Sequence, residues 1–173
     1  MCDKYQLIVP TIEFEDEYFA YVNEFIARDE PSTFYRLPEG NFDEFIQQLA
    51  REARGEGMPD WCVPQHTFWC LRGEGHLTGV IKVRLHLTPA LEEYGGHIGY
   101  FVRPSERGQG CATRMLALAL EKARTFGLVR VLLMCVKANV ASARVIEKNG
   151  GILASEGISP IDGGPVLRYW IEL

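Results

Sequence analysis

The chain has 173 residues and 19.6 kDa, with 47% hydrophobic and 24% charged residues, which fits one domain spanning residues 1–173 with a real core. A net charge of −5 without any lysine or arginine cluster disfavours duplex DNA or RNA as a primary partner, because phosphate neutralisation needs a basic footprint. No apolar run approaches the ~18 residues of a membrane span, and the apolar stretch ending at Pro10 is too short for a secretory signal, so the expected location is the cytoplasm, away from membranes.

In chain order, residues 5–9 suit a strand. From Glu15 to about Arg28, Phe14, Tyr18, Phe19, Val22, Phe25 and Ile26 recur at helical spacing. Pro31 ends that helix, and Asn41 with Glu44 resembles a capping box opening a second one, which runs to Gly55. The period then changes. Residues 66–72 and 77–87 flank Gly73-Glu74-Gly75 as a β-hairpin, and a loop from Pro89 to Gly96 leads to a strand over His97–Arg103, stopped by Pro104. A glycine-containing turn follows, then a long helix with the apolar stripe Ala112, Met115, Leu116, Ala119, Leu120 and Ala123, ended by Gly127. A buried strand over 129–136, a shorter helix opened by Asn139 and closed near Gly150, and strands near 152–156 and 165–173 complete the chain. This order predicts one α/β domain, a mixed sheet with helices on its faces.

The five cysteines (Cys2, Cys62, Cys70, Cys111, Cys135) include no CxxC pair and read as reduced thiols; the four histidines are scattered, so no metal site is signalled. The segment after Pro104 carries the chemistry. A strand running into a glycine turn and then a helix is an anion site, since the first-turn N–H groups lack intrahelical partners and the macrodipole places about half a positive charge there. Gly108 and Gly110 let the backbone approach a phosphate, and Arg107 can add charge. The turn lacks the Lys-Ser/Thr ending of a P-loop, so a pyrophosphate without metal fits it better than a nucleoside triphosphate.

At Arg107, Gly110 and Ala112 the chain resembles the GNAT acetyltransferase superfamily, whose CoA signature is Arg/Gln-x-x-Gly-x-Gly/Ala. A second signature, an Asn opening the next helix with a small residue three on and a terminal Gly, is matched by Asn139, Ser142 and Gly150. The resemblance covers residues 97–151 and implies a GNAT-like, mostly antiparallel sheet flanked by about four helices. Gly99-Tyr100-Phe101-Val102-Arg103-Pro104, with Gly110-Cys111-Ala112-Thr113, looks most like two branches. One acts on protein N-termini of the ribosomal kind; the other comprises predicted acetyltransferases, and the likeness leans to the second.

The resemblance implies acetyl-CoA as co-substrate and a small-molecule amine or peptide N-terminus as acceptor, and it is compatible with a homodimer. Backbone N–H groups of Arg107, Gly108, Gln109, Gly110, Cys111, Ala112 and Thr113 would cradle the pyrophosphate. Phe101 and Val102 would hold the pantetheine by main-chain bonds, and Asn139 and Ser142 would contact the cofactor arm, Asn139 serving equally as a helix cap. Many family members place a Tyr four residues after the small helix residue as acid for the leaving thiolate. Here that position is Ile146.

An alkylamine of pKa ~10.4 costs roughly 4.6 kcal/mol to deprotonate at pH 7, against roughly 2 kcal/mol for a thiolate leaving from pKa ~8.5, so the base is the larger need. His97, five residues before Val102, is the candidate base, and Tyr100 the alternative that bonds the acceptor or packs. Glu92 and Glu93 could act through water, and a nucleophilic role for Cys111 or Cys135 is disfavoured because no paired histidine is visible. The acidic run Glu13–Glu17 would attract a cationic amine only if it bordered the cleft; otherwise it is dipole-favoured surface. Phe34, Tyr35, Trp61 and Trp69 wall an acceptor pocket or belong to the core. Two other readings stand beside the enzyme: a non-catalytic acyl-CoA sensor on the same scaffold, and a nucleotide-binding fold.

Overall fold

The computed structural model describes residues 4–31, 35–59 and 62–173. Seven strands form one sheet: β1 (Tyr5–Ile8), β2 (Gln65–Arg72), β3 (His76–Arg84), β4 (Ile98–Val102), β5 (Arg130–Val136), β6 (Ile152–Ile158) and β7 (Pro165–Glu172), in the order β1-β2-β3-β4-β5-β7-β6. Every neighbouring pair is antiparallel except β4 and β5. Those two run parallel and share a single registered pair, Ile98 with Leu133.

The helices are α1 (Glu15–Ile26), α2 (Phe42–Arg54), α3 (Pro89–Glu93), α4 (Cys111–Thr125) and α5 (Val140–Lys148). The expected capping of α2 forms: Asn41 Oδ1 accepts the Glu44 N–H at 2.8 Å, and Gly55 ends the helix at φ 73°. The segment Pro89–Gly96, read as a loop, contains α3 instead. Thr88 Oγ1 accepts the Leu91 N–H and Pro89 begins the helix, a start signal short enough to be taken for turn chemistry. Among the described residues the helices number five, in keeping with the expected sheet flanked by about four.

Strand alternation divides the side chains between two cores. Phe68, Cys70, Ile81, Val83 and Ile98 face α4 and α5, where Met115, Leu116, Ala119 and Ile146 cover them. Trp69, Leu71 and Val80 face the opposite way, under Tyr18, Tyr21 and Phe25 of α1 and Phe42, Phe45 and Leu49 of α2. Charge joins α1 to the segment after β4. Arg103, nearly buried, donates to Glu24 at 2.5 Å and Glu17 at 2.6 Å, and Glu24 also accepts the Ser105 N–H at 2.9 Å. Glu17 meets His76 at 2.9 Å, and His76 meets Glu106 at 3.0 Å. Glu17, from the acidic run, is therefore committed to this network rather than free to meet a cationic substrate.

Candidate active site

Beyond the Ile98–Leu133 pair, β4 and β5 part, and the wedge between them opens into a cavity of about 580 Å³. Tyr100, Phe101 and Val102 of β4 form one wall, the turn from Glu106 to Thr113 a second, and Asn139, Ser142, Arg144 and Lys148 at α5 a third. The Arg103 N–H bonds the Thr78 carbonyl, so strand alternation turns the main-chain groups of Tyr100 and Val102 away from β3 and towards the wedge.

The turn has the geometry of an anion cradle. Gly108 and Gly110 sit at φ 78° and 82°, and a Cβ on either would enter space with no atom within 4 Å. Their glycine requirement therefore comes from backbone conformation, and the space above them is open. The first intrahelical bond of α4 runs from the Arg114 N–H to the Gly110 carbonyl, leaving the Cys111, Ala112 and Thr113 N–H groups without backbone partners among the described residues, at the positive end of a 15-residue helix.

The neighbouring side chains depart from expectation. Arg107 is held by Glu30 through two bonds of 2.8 and 2.7 Å, and its Nε donates to the Val102 carbonyl at 3.3 Å, so its charge is largely neutralised within the protein. Gln109 turns back to donate to the Ser105 carbonyl at 2.9 Å. Positive charge at the cavity comes instead from Arg144 and Lys148, both exposed and without an ion pair among the described residues. The sequence reading passed over this pair. Their four-residue spacing on a helix opposite a phosphate turn is the signal that could have found them.

Asn139 caps α5 by accepting the Ser142 N–H at 3.0 Å and also lines the cavity, so both of its expected positions coincide. Across the wedge, the Tyr100 hydroxyl lies 2.9 Å from Ser142 Oγ, and burial pushes the phenol up to about 12. Cys111 is 1% exposed, and its thiol is lowered by a hydrogen bond from Cys70, whose own pKa is raised. The pair is an internal thiol–thiol contact with no histidine partner among the described residues.

His97 stands elsewhere. It is buried at the seam of β4 and β5, where its main-chain N–H bonds the Leu132 carbonyl and its Nδ1 accepts the Leu132 N–H at 2.9 Å. Burial, aided by Arg84 and Arg130, pushes the ring down to about 4, and the residue does not line the cavity. Ile146, where the family's Tyr is missing, is fully buried in the α4/α5 core. Trp69 is buried in the other core, Tyr35 lines a second cavity beneath α1 and α2, and Phe34 and Trp61 lie outside the described residues.

Comparison with known proteins agrees with this architecture. No curated protein matches significantly in sequence. Among solved structures, the microcin C7 self-immunity acetyltransferase MccE, in complex with acetyl-CoA and AMP, superposes with a TM-score of 0.70 at 15% identity, covering 99% of this chain and 93% of that one. The spermidine N-acetyltransferase from Vibrio cholerae, with CoA and spermine, gives 0.67 at 14%, covering 97% and 95%. The putative acetyltransferase yncA from Salmonella typhimurium, with acetyl-CoA, gives 0.64 at 13%, covering 98% and 94%. These likenesses show the fold. The sequence itself matches the acetyltransferase (GNAT) domain over residues 7–152, so the parted strands and the glycine turn sit within the matched region and the chain belongs to the GNAT acetyltransferase family.

Proposed function

We propose that the protein is an N-acetyltransferase using acetyl-CoA and transferring the acetyl group to a primary amine by direct attack in a ternary complex. The observation that carries this reading is the wedge between β4 and β5, which ends at three unpartnered N–H groups and an open glycine turn. The residues present fit the cofactor. The Cys111, Ala112 and Thr113 amides would hold the pyrophosphate, with Arg144 and Lys148 adding charge, and the main-chain groups of Tyr100 and Val102 would hold the pantetheine arm. Acetyl-CoA supplies the activated acyl group.

Proton handling follows from the side chains in the wedge. With a phenol at about 12, Tyr100 is protonated at neutral pH and serves as a hydrogen-bond donor rather than a base. His97 at about 4 is too weak a base for an alkylamine and has its Nδ1 lone pair already engaged. With neither residue placed to act as a base, the acceptor amine in this reading reacts from its own neutral fraction. Its deprotonation costs roughly 4.6 kcal/mol at pH 7 for an alkylamine and about 1 kcal/mol for an α-amine of pKa ~7.7–8.0. The four described cysteines are free thiols, which supports a reducing, cytosolic setting.

The burial of Ile146 and the distance of His97 from the cavity also favour the second reading, an acyl-CoA sensor. Thiol release from acetyl-CoA over a panel of diamines, amino acids and peptide N-termini, with CoA and ATP titrated by calorimetry, separates the two. Turnover supports the enzyme. CoA binding without turnover on any amine supports the sensor, and binding of ATP in place of CoA rejects both.

A further inference from the structure

On the opposite face of the sheet from α4, a second cavity of about 40 Å³ lies beneath α1 and α2. Phe101 lines both this cavity and the wedge, so the two adjoin at this residue of β4. The small cavity has aromatic walls, with Tyr18 stacked on Trp69 at 4.9 Å between ring centroids.

Its polar lining is unbalanced towards donors. Thr67 and Trp69, 7% and 0% exposed, both line it, and neither Thr67 Oγ1 nor Trp69 Nε1 has a hydrogen-bond partner among the described residues. Buried polar groups are rarely left unsatisfied, and each such group calls for a missing partner. Lys82 also lines the cavity and forms no ion pair among the described residues. Arg36, a further lining residue, is paired with Glu52 at 2.6 Å, and Glu52 also accepts from Gln65 at 3.3 Å. Lys82, Arg36 and Glu52 together leave one net positive charge. Burial pulls the Lys82 ammonium below its ordinary range, with the Glu52 carboxylate opposing that shift. A second anion beside it would remove the penalty.

We propose that this cavity is the acceptor subsite, and that it takes amines bearing a carboxylate, which Lys82, Thr67 and Trp69 bind while the amine end passes Phe101 towards the wedge. This rests on the acetyltransferase reading and narrows its substrate class. A space of ~40 Å³ exceeds the ~10–15 Å³ that one water needs and suits a single carboxylate-sized group. A second ammonium, as on a polyamine, would meet the Lys82 charge and the Trp69 N–H, which can only donate. Polyamines are accordingly poor substrates here, although the spermidine N-acetyltransferase shares the fold.

The test pairs two acceptors of similar length, 5-aminopentanoate and cadaverine, against wild type, Lys82→Met and Thr67→Val. Binding to the CoA-saturated protein is read by calorimetry and transfer by thiol release from acetyl-CoA. Wild type should favour aminopentanoate at least tenfold in both measurements, and Lys82→Met should bring the ratio near one. Thr67→Val, close to isosteric, should narrow the ratio about threefold and covers the case of a Lys82 variant that does not fold. Carboxylate-selective, Lys82-dependent binding without turnover supports this subsite and overturns the acetyltransferase reading. Turnover that prefers cadaverine, or a wild-type ratio that survives in the folded variants, overturns the subsite and leaves the acetyltransferase reading intact.

Discussion

Substituting Asp for Gly110 places a Cβ and a negative charge in the open space above the glycine turn. Two effects on stability oppose each other. An Asp at φ 82° carries a left-handed strain of about 1 kcal/mol, whereas a carboxylate at the start of α4 gains about 0.3–1 kcal/mol from the macrodipole. The fold should therefore survive within about 1 kcal/mol. Binding should not. A carboxylate roughly 6 Å from a phosphate charge costs about 0.7 kcal/mol at ε ≈ 80 and about 2.8 kcal/mol at ε ≈ 20, so two phosphate charges together cost about 1.5–5 kcal/mol. The expected loss of CoA affinity is ten- to several-thousandfold. Gly110→Ala bears the strain without the charge and should weaken binding less than tenfold. Calorimetric titration at about 0.1 M and 1 M salt, where the Debye length falls from ~10 to ~3 Å, should shrink the Asp penalty and leave the Ala effect unchanged. A folded Gly110→Asp protein with wild-type affinity would refute the cradle. So would equal losses for Asp and Ala at both salt concentrations.

Further outcomes are expected at three residues. His97 at about 4 folded and ~6.5 unfolded takes up a proton on unfolding between those values, so its contribution is complete above pH ~6.5 and is lost as the pH falls towards 4, by up to about 3 kcal/mol. His97→Gln should flatten the melting temperature between pH 7 and 4 without changing the shape of the kcat/KM pH profile, which should follow the pKa of the acceptor; a variant whose acid slope matches wild type contradicts this assignment. Tyr100→Phe removes the wedge-facing donor and should lower kcat by up to about thirtyfold, equivalent to the ~2 kcal/mol of thiolate departure, while KM for acetyl-CoA stays within about threefold; an unchanged kcat makes Tyr100 a packing residue. Ile146→Ala should cost about 2–5 kcal/mol in chemical denaturation. Ile146→Tyr must enter a closed core beside Gly151 and should lose about 1–3 kcal/mol without raising kcat, so a rate gain would show the ring reaching the wedge.

Much of the local chemistry was legible from signals within one turn of chain, although the short Thr88-Pro89 start of α3 was not. The Asn41 cap, the Gly55 stop, the hairpin and the Gly108-Gln109-Gly110 turn each declare themselves through neighbours a few residues away. Side-chain roles were less legible, because partners distant in sequence decide them. Arg107 matched the family's CoA signature, yet Glu30, 77 residues away, claims its guanidinium. His97 had a suitable intrinsic pKa and lay on the right strand, but a backbone N–H 35 residues on fills its acceptor site. The sequence leaves Trp69 between an acceptor wall and the core, and it marks neither Thr67 nor Lys82 as a site residue. Only the packing of α1 and α2 over them leaves polar groups facing an enclosed space.

The single rung between β4 and β5 has a mechanical consequence. With one registered pair and the His97–Leu132 bonds beside it, the sheet resembles two plates, β1–β4 and β5–β7, riveted at that one point and covered by α4 and α5. Each plate presents a raw inner border to the gap, the kind of border that proteins otherwise hide from other chains. A linear molecule with amide groups, lying along the β4 border, would work as a splint. It would supply the hydrogen bonds of an absent strand and couple the plates beyond their rivet. Its presence should therefore register as rigidity as well as occupancy: amide exchange should slow at Tyr100 and Val102, and the unfolding free energy should rise by the mass-action term RT ln(1 + [L]/Kd), carrying the melting temperature up with it.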